Sequence, residues 1–544
     1  HLRWGVERKK MQEKRQGERK REEGGGGGGG GGYLEGSEIK QKNCRQGLSC
    51  RIEEIENREE LSATPCIRED AYSVFLLNPP ASALECHPVR GMVPATKNLM
   101  IPQGIFSLAA FLRQHGYPVE VVDGEARNLD IESVVDMICR SAPDVLGISA
   151  MTRTFHRAVE IAEMVRQRCP KIKLILGGAH VSAIPKEALE SSPFDIGVVG
   201  EGEITLLELL KALEKGTELA DLQGIVFKQQ NGEIIQPPRR PLMQNLDSLP
   251  MPAYDLIPDV RVYTPPPARY RALPHATIRT GRGCANQCTF CDASVFERKV
   301  RQKSLKNVAD EITVLVRNFG IREFFFADET FTHDIRRIPE LFSLLETENI
   351  RFLWSCTSRV NTVNEEILRY MKSKGCWKIL FGIESGNPDI LKTIKKGIQL
   401  EKVKEAVTIC SKIGINTTGF FMIGHPGETS DTIEQTIRFA LSLPLDEVAV
   451  ALNTPYPGSA QYSEAHLYGS LDTSDWSRYN SYQLVFVPHG LTSAQLVAAQ
   501  QDFYRRFYLR PRIIARLCRD FISPTGFRRM IPLVMGIPAL FKKS

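Results

Sequence analysis

Short apolar runs alternate with segments of helical period from residue 71 onward. Residues 71–77 are apolar and end at Asn78-Pro79-Pro80, the pattern of a strand followed by a loop. The same reading predicts strands over 119–123, 145–149, 173–176 and 196–199, with helices over 105–114, 131–140, 155–168 and 205–213. Strands alternating with helices of this length predict a parallel sheet covered on both faces. The expectation is one doubly wound α/β domain over residues 69–214. Ligands of such sheets bind beyond the carboxyl ends of the strands. Four loops there are candidates: Asn78-Pro79, Ser149-Ala150-Met151-Thr152, Gly177-Gly178-Ala179-His180 and Gly200-Glu201-Gly202-Glu203. The plain alternative is a set of tight turns.

Residues 215–270 read as a joining segment. Asn231-Gly232 between apolar pairs is a hairpin signal, and Pro237-Pro238, Pro250-Met251-Pro252 and Pro265-Pro266-Pro267 favour an irregular linker. A second series follows over 271–460. Its strands are predicted near 277–280, 321–327, 352–357, 377–383, 416–423 and 447–452. Helices are predicted near 304–318, 333–348, 361–374, 389–413 and 429–442. Six such units predict an open or partial barrel with its chemistry at the strand C-termini. Residues 461–544 leave this rhythm. Segments 503–510 and 513–518 alternate apolar and basic positions around Pro511, and Met530 to Phe541 is apolar but broken by two prolines. Docking on the second domain is the ordinary reading, and peripheral membrane contact is the alternative.

Composition narrows the class. Of 544 residues, 25% are charged and 42% hydrophobic, and the formal net charge is +6. Most of that excess lies in residues 1–23, so a nucleic-acid partner gains little support from charge. Residues 1–68 are expected to be an unfolded basic and glycine-rich tail, because the run Gly24–Gly32 has no side chains to bury. The chain starts at His1, Met11 offers another start, and residues 1–33 read as a fragmentary or misassigned region, with a flexible tether or a functional basic arm as the alternatives. Cys44 and Cys50 read as incidental. With no apolar leader, a cytoplasmic protein is the expectation.

Thirteen cysteines are too few for a disulfide scaffold of this length. Three of them, Cys284, Cys288 and Cys291, lie within eight residues after the first predicted barrel strand. Such a loop can wrap one soft-metal centre at small closure cost. Structural zinc takes four ligands, and His275 is the nearby candidate for a fourth, though its spacing is unusual. Three local thiolates favour a four-iron cluster with one iron left open.

The Cys-x3-Cys-x2-Cys pattern, with Phe290 before the last cysteine, resembles the cluster loop of radical S-adenosylmethionine enzymes. The resemblance implies a [4Fe-4S] cluster on the three cysteines. It also implies that Asp328 and Glu329 face the S-adenosylmethionine amino group, where the alternative is a helix-capping cluster. Arg359 would meet the methionine carboxylate or be a surface charge. Glu384, in Gly382-Ile383-Glu384-Ser385-Gly386, would lie by the cofactor's ribose or methionine part. Gly424, Pro426 and Gly427 would line the adenine, or form a plain turn capped by Glu428. Tyr456 is a weak candidate to face substrate, and Cys356 and Cys376 are weak candidates for a hydrogen or proton donor, with packing as the alternative.

The first domain resembles the cobalamin-binding half of cobalamin-dependent radical S-adenosylmethionine proteins. That group includes the anaerobic magnesium-protoporphyrin monomethyl ester cyclase and class B radical methylases. Leu77 to Pro80, Pro102 to Ile105, Val122-Asp123, Gly147 to Ser149, Leu176 to His180 and Gly200 to Glu203 carry that likeness, and the cofactor-binding candidates are Asn78, Pro79, Ser149, Met151, Thr152, Gly177, Gly178, His180 and Gly200 to Glu203. The Asp-x-His-x-x-Gly segment that supplies a lower axial histidine elsewhere is absent, which implies a corrin without that ligand; a domain that has lost cobalamin is the alternative. The family mechanism implies reductive cleavage of S-adenosylmethionine to a 5'-deoxyadenosyl radical, hydrogen abstraction, and methyl transfer from methylcobalamin to an unactivated carbon of a small or lipid-like substrate. The alternative is an oxidative cyclase or radical rearrangement on a tetrapyrrole or natural-product intermediate. Either needs a reductant such as flavodoxin or ferredoxin. A further alternative is an RNA-modifying or methylthiolating enzyme; the latter would want a second cysteine cluster or an attached RNA-binding domain, which the sequence does not offer.

Overall fold

The computed structural model describes residues 67–81 and 99–522, with side chains described through residue 519. The described residues fall within one compact unit. The glycine run, Cys44, Cys50 and Met530 to Phe541 lie outside them.

The first domain follows the alternation read from the sequence. In chain order it holds β1 (Val74–Asn78), α1 (Gln103–Gln114), β2 (Val119–Asp123), α2 (Ile131–Ser141), β3 (Val145–Ser149), α3 (Phe155–Arg168) and β4 (Lys173–Gly177). Then come α4 (Ala179–Ala183), α5 (Pro185–Glu190), β5 (Ile196–Val198), α6 (Gly202–Lys215), β6 (Ile225–Lys228) and β7 (Ile234–Ile235). Strands β1 to β5 pair in parallel, in the order β2-β1-β3-β4-β5.

Side chains alternate across a strand, and here the alternation divides two cores. Phe75 and Leu77 pack with α2 and α3, including Val134, Ile138, Ala158 and Ile161. Val74 and Leu76 face the other way, onto Ala109 and Leu112 of α1 and Leu206 and Leu210 of α6. Each fully buried leucine or phenylalanine contributes roughly 1.5–3 kcal/mol of transfer free energy. Asp130 fixes the start of α2 by accepting from Ser133 N at 2.7 Å.

One boundary moves. The hairpin expected in the joining segment extends the first sheet, with β6 antiparallel to β5 (Ile196↔Phe227) and β7 antiparallel to β6. Ile225 and Val226 are fully buried, and a strand apolar on both faces needs a partner sheet rather than solvent. From Leu246 to Arg269 the chain is irregular, with four single 3-10 turns, as the prolines predict.

The second domain contains β8 (His275–Ile278), β9 (Gly281–Arg282), β10 (Arg301–Gln302), α7 (Leu305–Phe319), β11 (Glu323–Phe326), α8 (Arg337–Thr347), β12 (Leu353–Ser358) and α9 (Glu365–Ser373). It continues with β13 (Cys376–Glu384), α10 (Pro388–Thr393), α11 (Leu400–Ile413), β14 (Asn416–Ile423), α12 (Ser430–Ser442) and β15 (Glu447–Leu452). Six parallel strands lie in sequence order, β8-β11-β12-β13-β14-β15, as a partial barrel. Ala276, Ile278, Phe324, Phe326, Trp354, Ile379 and Phe381 pack outward against the helices. The intervening positions, among them His275, Thr277, Ser355, Lys378, Thr418 and Glu447, therefore line the lumen.

The single helix expected over 389–413 is two helices. Lys395 and Gly397, both at positive φ, break it, and the turn between them carries Lys396 into the site described below.

The C-terminal region adds α13 (Ala460–Tyr468), a small antiparallel pair β16 (Gly469–Leu471) and β17 (Phe486–Pro488), α14 (Ser493–Tyr508) and α15 (Pro511–Ile522). Helix α14 covers the outer strand. Tyr504 and Tyr508 exchange hydrogen bonds with the backbone of Val450 and Val448, and Gln500 donates to Val450 O at 2.8 Å. Those bonds satisfy edge groups that would otherwise invite another strand. Docking thus accounts for α14. Among the described residues no helix is long and apolar enough to cross a membrane.

Candidate active site

The cysteine loop leaves the lumen mouth directly after β9. Gly283 has φ +87°, and a Cβ there would lie 2.1 Å from Lys299 O, so the turn into Cys284 requires glycine. The loop has no regular ladder and is held by side chains instead. Arg298 donates to the carbonyls of Asn286, Cys288 (3.3 Å) and Cys291 (3.4 Å). Gln461 bonds Thr289 through both backbone and side chain, at 3.0 and 3.1 Å, while Thr289 N donates to Ile394 O at 3.0 Å.

Cys284, Cys288 and Cys291 are all free thiols. Asn286 Nδ2 reaches Cys284 Sγ at 3.1 Å, and Arg359 Nη1 approaches Cys288 Sγ at 3.8 Å. The Cys291 thiol retains solvent access, yet crowding by the surrounding protein pushes it up to about 12, with Cys288, Glu384 and Cys284 adding repulsion and Lys396 opposing it. A bound metal reverses that logic by holding the deprotonated sulfur. Among the described residues no group of three His, Cys, Asp or Glu side chains is drawn close enough to grip an ion. The donor chemistry nonetheless fits an iron–sulfur centre: three unpaired thiols on one loop, two with N–H donors at the sulfur.

Around this loop the carboxylates predicted from sequence are already engaged. Asp328, after β11, accepts from Thr280 N at 3.0 Å and from Thr280 Oγ1 at 2.9 Å. Burial raises its carboxyl to about 6, against the Thr280 bonds that lower it. It anchors the start of the cysteine segment rather than standing open. Glu329 pairs with Arg279 at 2.8 Å. Glu384 is buried and bound by Lys396 Nζ at 2.7 Å. Its φ of +66° is strained for a non-glycine residue. Gly382 makes room for the pair, since a Cβ there would lie 2.7 Å from both Glu384 Oε1 and Lys396 Nζ.

Arg359 is buried, not a surface charge; it also donates to Lys396 O, and its Nε has no partner among the described residues. Phe290 lies between His425 (ring centroids 5.9 Å apart) and the Lys396 ammonium (5.8 Å). Gly424 and Gly427 have φ of +90° and +79° on either side of Pro426. Glu428 folds this turn by accepting from Gly424 N (2.5 Å) and His425 N (3.0 Å), and burial raises its carboxyl to about 7. Among the described residues, both ring nitrogens of His425, Asn453 Oδ1 and Arg359 Nε are buried without partners. Orphaned polar atoms of this density call for a polar ligand, and S-adenosylmethionine, with amino, carboxylate, hydroxyl and adenine groups, fits them.

Three candidates fall elsewhere. Cys356 and Cys376 sit in the hydrophobic core behind the lumen strands, beside Cys410; packing accounts for them. Tyr456 OH is within 3.0 Å of Tyr479 O and 3.1 Å of Ser481 Oγ, so its phenol braces the C-terminal region.

The C-terminal edge of the first sheet carries the other predicted set. Asn78, followed by the buried Pro79, donates to Asp123 at 2.9 Å, and Asp123 also accepts from Tyr263 OH. Gly178 has φ +99°, and a Cβ would lie 2.5 Å from Ala150 O, so the Ser149 and Gly177 loops close tightly on each other. Met151 stands 51% exposed at this edge. Nearby, His180 is buried against Phe155 and Trp476, with Nδ1 3.3 Å from Thr152 Oγ1 and Nε2 without a partner among the described residues. Burial lowers the ring to about 3, so it is neutral. An apolar Met151 near an orphaned neutral imidazole fits a flat, largely apolar ring system such as a corrin.

The structure gives Glu201 and Glu203 a different task. Arg282, two residues before Cys284, binds Glu201 at 2.8 Å and Glu203 at 2.6 Å, and Arg301 binds Glu201 at 2.7 Å. Gly200 N donates to Ser182 Oγ, and Gly202 opens α6 against Leu108. Sequence reading singled out these glycines and glutamates but not their arginine partners. It likewise missed Thr280, Lys396, Arg298 and His425, whose only signal was proximity in sequence to a motif.

Two family models match the chain: the B12 binding domain over residues 89–210 and the radical SAM superfamily over residues 278–440. An uncharacterized methyltransferase of Pyrococcus horikoshii is 35% identical over 430 residues, covering 78% of this chain and 91% of that one. The anaerobic magnesium-protoporphyrin IX monomethyl ester cyclase of Rubrivivax gelatinosus is 28% identical over 75% of this chain and 74% of its own. The fold is shared with the cobalamin-dependent S-adenosylmethionine radical enzyme OxsB (TM-score 0.66, 19% identity, 85% of this chain and 72% of that one). It is also shared with the radical S-adenosylmethionine methyltransferase TsrM of Kitasatospora setae (TM-score 0.63, 18% identity, 86% and 100%). With a B12-binding domain fused to a radical SAM domain, the chain belongs to the family of cobalamin-dependent radical SAM enzymes.

Proposed function

We propose that the protein is a cobalamin-dependent methyltransferase acting on an unactivated carbon of a small or lipid-like substrate. One observation carries this reading. Arg282 ties the ligand edge of the first sheet, through Glu201 and Glu203, to the residues that open the cysteine loop. Arg239 supports the same junction by donating to both Ser182 O and Ser294 O. A methyl carrier on one edge and a radical source on the other would therefore share one cleft, where ligand sites between domains are common.

When bound, the three groups supply reductive formation of a 5'-deoxyadenosyl radical and a transferable methyl. The chain's own residues position and enclose. Cys284, Cys288 and Cys291 would hold the cluster. Arg359, Asn453 and the Gly424–Gly427 turn would bind S-adenosylmethionine. The Lys396–Glu384 pair fixes the wall between them. Met151 and the Gly177-Gly178 turn would seat the corrin. A reductant such as flavodoxin or ferredoxin would deliver the electron.

The relative at 35% identity, itself named a methyltransferase, supports methyl transfer. The similarity to the cyclase over three quarters of both chains supports oxidative ring closure as the second reading. Anaerobically reconstituted protein given S-adenosylmethionine labelled in its methyl group separates them. Label in the product is the expected result. Product that gains a ring and no label overturns methyl transfer.

A further inference from the structure

The strand N-terminal half of the barrel lumen contains a cavity that none of the cofactor sites uses. It is lined by Arg269, His275, Phe325, Ser355, Lys378 and Leu380. The cationic groups there are unusual for a barrel floor. Lys378 is 1% exposed and sits mid-lumen, where its ammonium bonds Ala268 O at 2.8 Å and Glu447 at 2.5 Å. Arg269 comes from the linker that crosses this end of the barrel, and its charge acts directly on Lys378. Among the described residues the Arg269 guanidinium has no ion-pair or hydrogen-bond partner. His275, 2% exposed, has a buried Nε2 that likewise lacks a partner.

The charge count is short of one anion. Glu447 balances Lys378, Asp446 balances the neighbouring Arg516 at 2.6 Å, and the buried Glu323, in register with His275, is offset by Arg271. Arg269 is left over beside a lysine, in a wall that also offers an unpaired imidazole nitrogen. With Lys378 already paired to Glu447, the partly buried Arg269 is the cation at this wall that still lacks a counter-ion among the described residues. Guanidinium binds planar oxyanions through paired N–H donors.

We propose that this cavity is a subsite for an oxyanion of the substrate, a carboxylate or phosphate gripped by Arg269 with Lys378 and His275. This rests on the radical-enzyme reading of the lumen mouth and names the substrate class for it: an elongated molecule, anionic at one end and apolar along its body. Strand β13 runs six residues from Lys378 to Glu384, so an oxyanion held here would lie roughly 20 Å from the Glu384 end of the lumen at about 3.3 Å per residue.

Phenylglyoxal labelling of arginines in the reconstituted full chain, read by peptide mass mapping, tests this without turnover. Inorganic phosphate and butyrate are compared with chloride at equal ionic strength. Labelling of Arg269 should slow at least about threefold in one oxyanion, while exposed Arg336 and Arg369 stay unchanged; which oxyanion protects identifies the group. His275→Gln should keep the fold and weaken that protection. Equal labelling of Arg269 in all three salts overturns the proposal. Labelled-methyl transfer is measured separately, so failure of either reading leaves the other legible.

Discussion

Replacing Arg282 with methionine removes the cation that holds the two ligand edges together. Glu203 is 4% exposed, and its remaining partner is Ser107 Oγ at 3.1 Å. Glu201 keeps Arg301. Burial alone would raise the Glu203 carboxyl, and Arg282 outweighs it, leaving the group below its ordinary range. Stranding one member of a buried pair costs roughly 3–5 kcal/mol. The Arg282 side chain is 16% accessible, so the lower end, about 3 kcal/mol, is expected. With a urea slope of about 3 kcal/mol per molar, the upper end of the common range, the midpoint should fall by about 1 M. Arg282→Met combined with Glu203→Gln should cost less than the sum of the two, with a coupling of about 1–3 kcal/mol. The sign in pH follows from the depressed carboxyl. Its stabilisation is present above the unfolded value near 4.5 and is lost as pH falls through the lower folded value. The wild-type advantage over Glu203→Gln should therefore hold at pH 7 and fade in acid. Because Cys284 is two residues on, iron retention should also drop. An Arg282→Met midpoint equal to wild type, with additive double-mutant behaviour, would refute the clamp.

Alanine at any of Cys284, Cys288 or Cys291 should cut bound iron and abolish S-adenosylmethionine cleavage, measured by iron assay and 5'-deoxyadenosine formation; retained cleavage would remove the assigned ligand. Gly382→Ala places a methyl against Glu384 and Lys396, and S-adenosylmethionine binding measured by calorimetry should weaken at least about tenfold. Glu428 carries a raised carboxyl, about 7 against an ordinary 4.5, so the native state binds the extra proton and loses stability as pH rises across that interval. The shift corresponds to about 3 kcal/mol. Glu428→Gln should flatten the thermal midpoint between pH 4.5 and 7; an unchanged slope would show that another group carries it. Gly178→Ala forces a Cβ onto Ala150 O at positive φ and should reduce corrin retained after gel filtration.

Much of this architecture was legible because period-2 apolar runs and loop glycines act locally. Phe75 and Leu77 must face opposite to Val74 and Leu76 in any strand, so the βα alternation and both domains follow from pattern alone. Three cysteines in eight residues likewise declare soft-metal chemistry wherever the loop folds. What the sequence could not determine is who neutralises whom. Glu201 and Glu203 read as ligand residues because they end a strand, yet Arg282 and Arg301, distant in sequence, claim both. Lys396 falls in a segment whose pattern reads as continuous helix, and only the tertiary structure places it against Glu384. Arg269 and Lys378 are unremarkable singly, and only the barrel brings the two charges to one cavity. Backbone periodicity is fixed by neighbours in the chain, whereas pairing of buried charges depends on which strands adjoin. That adjacency is a property of the tertiary fold.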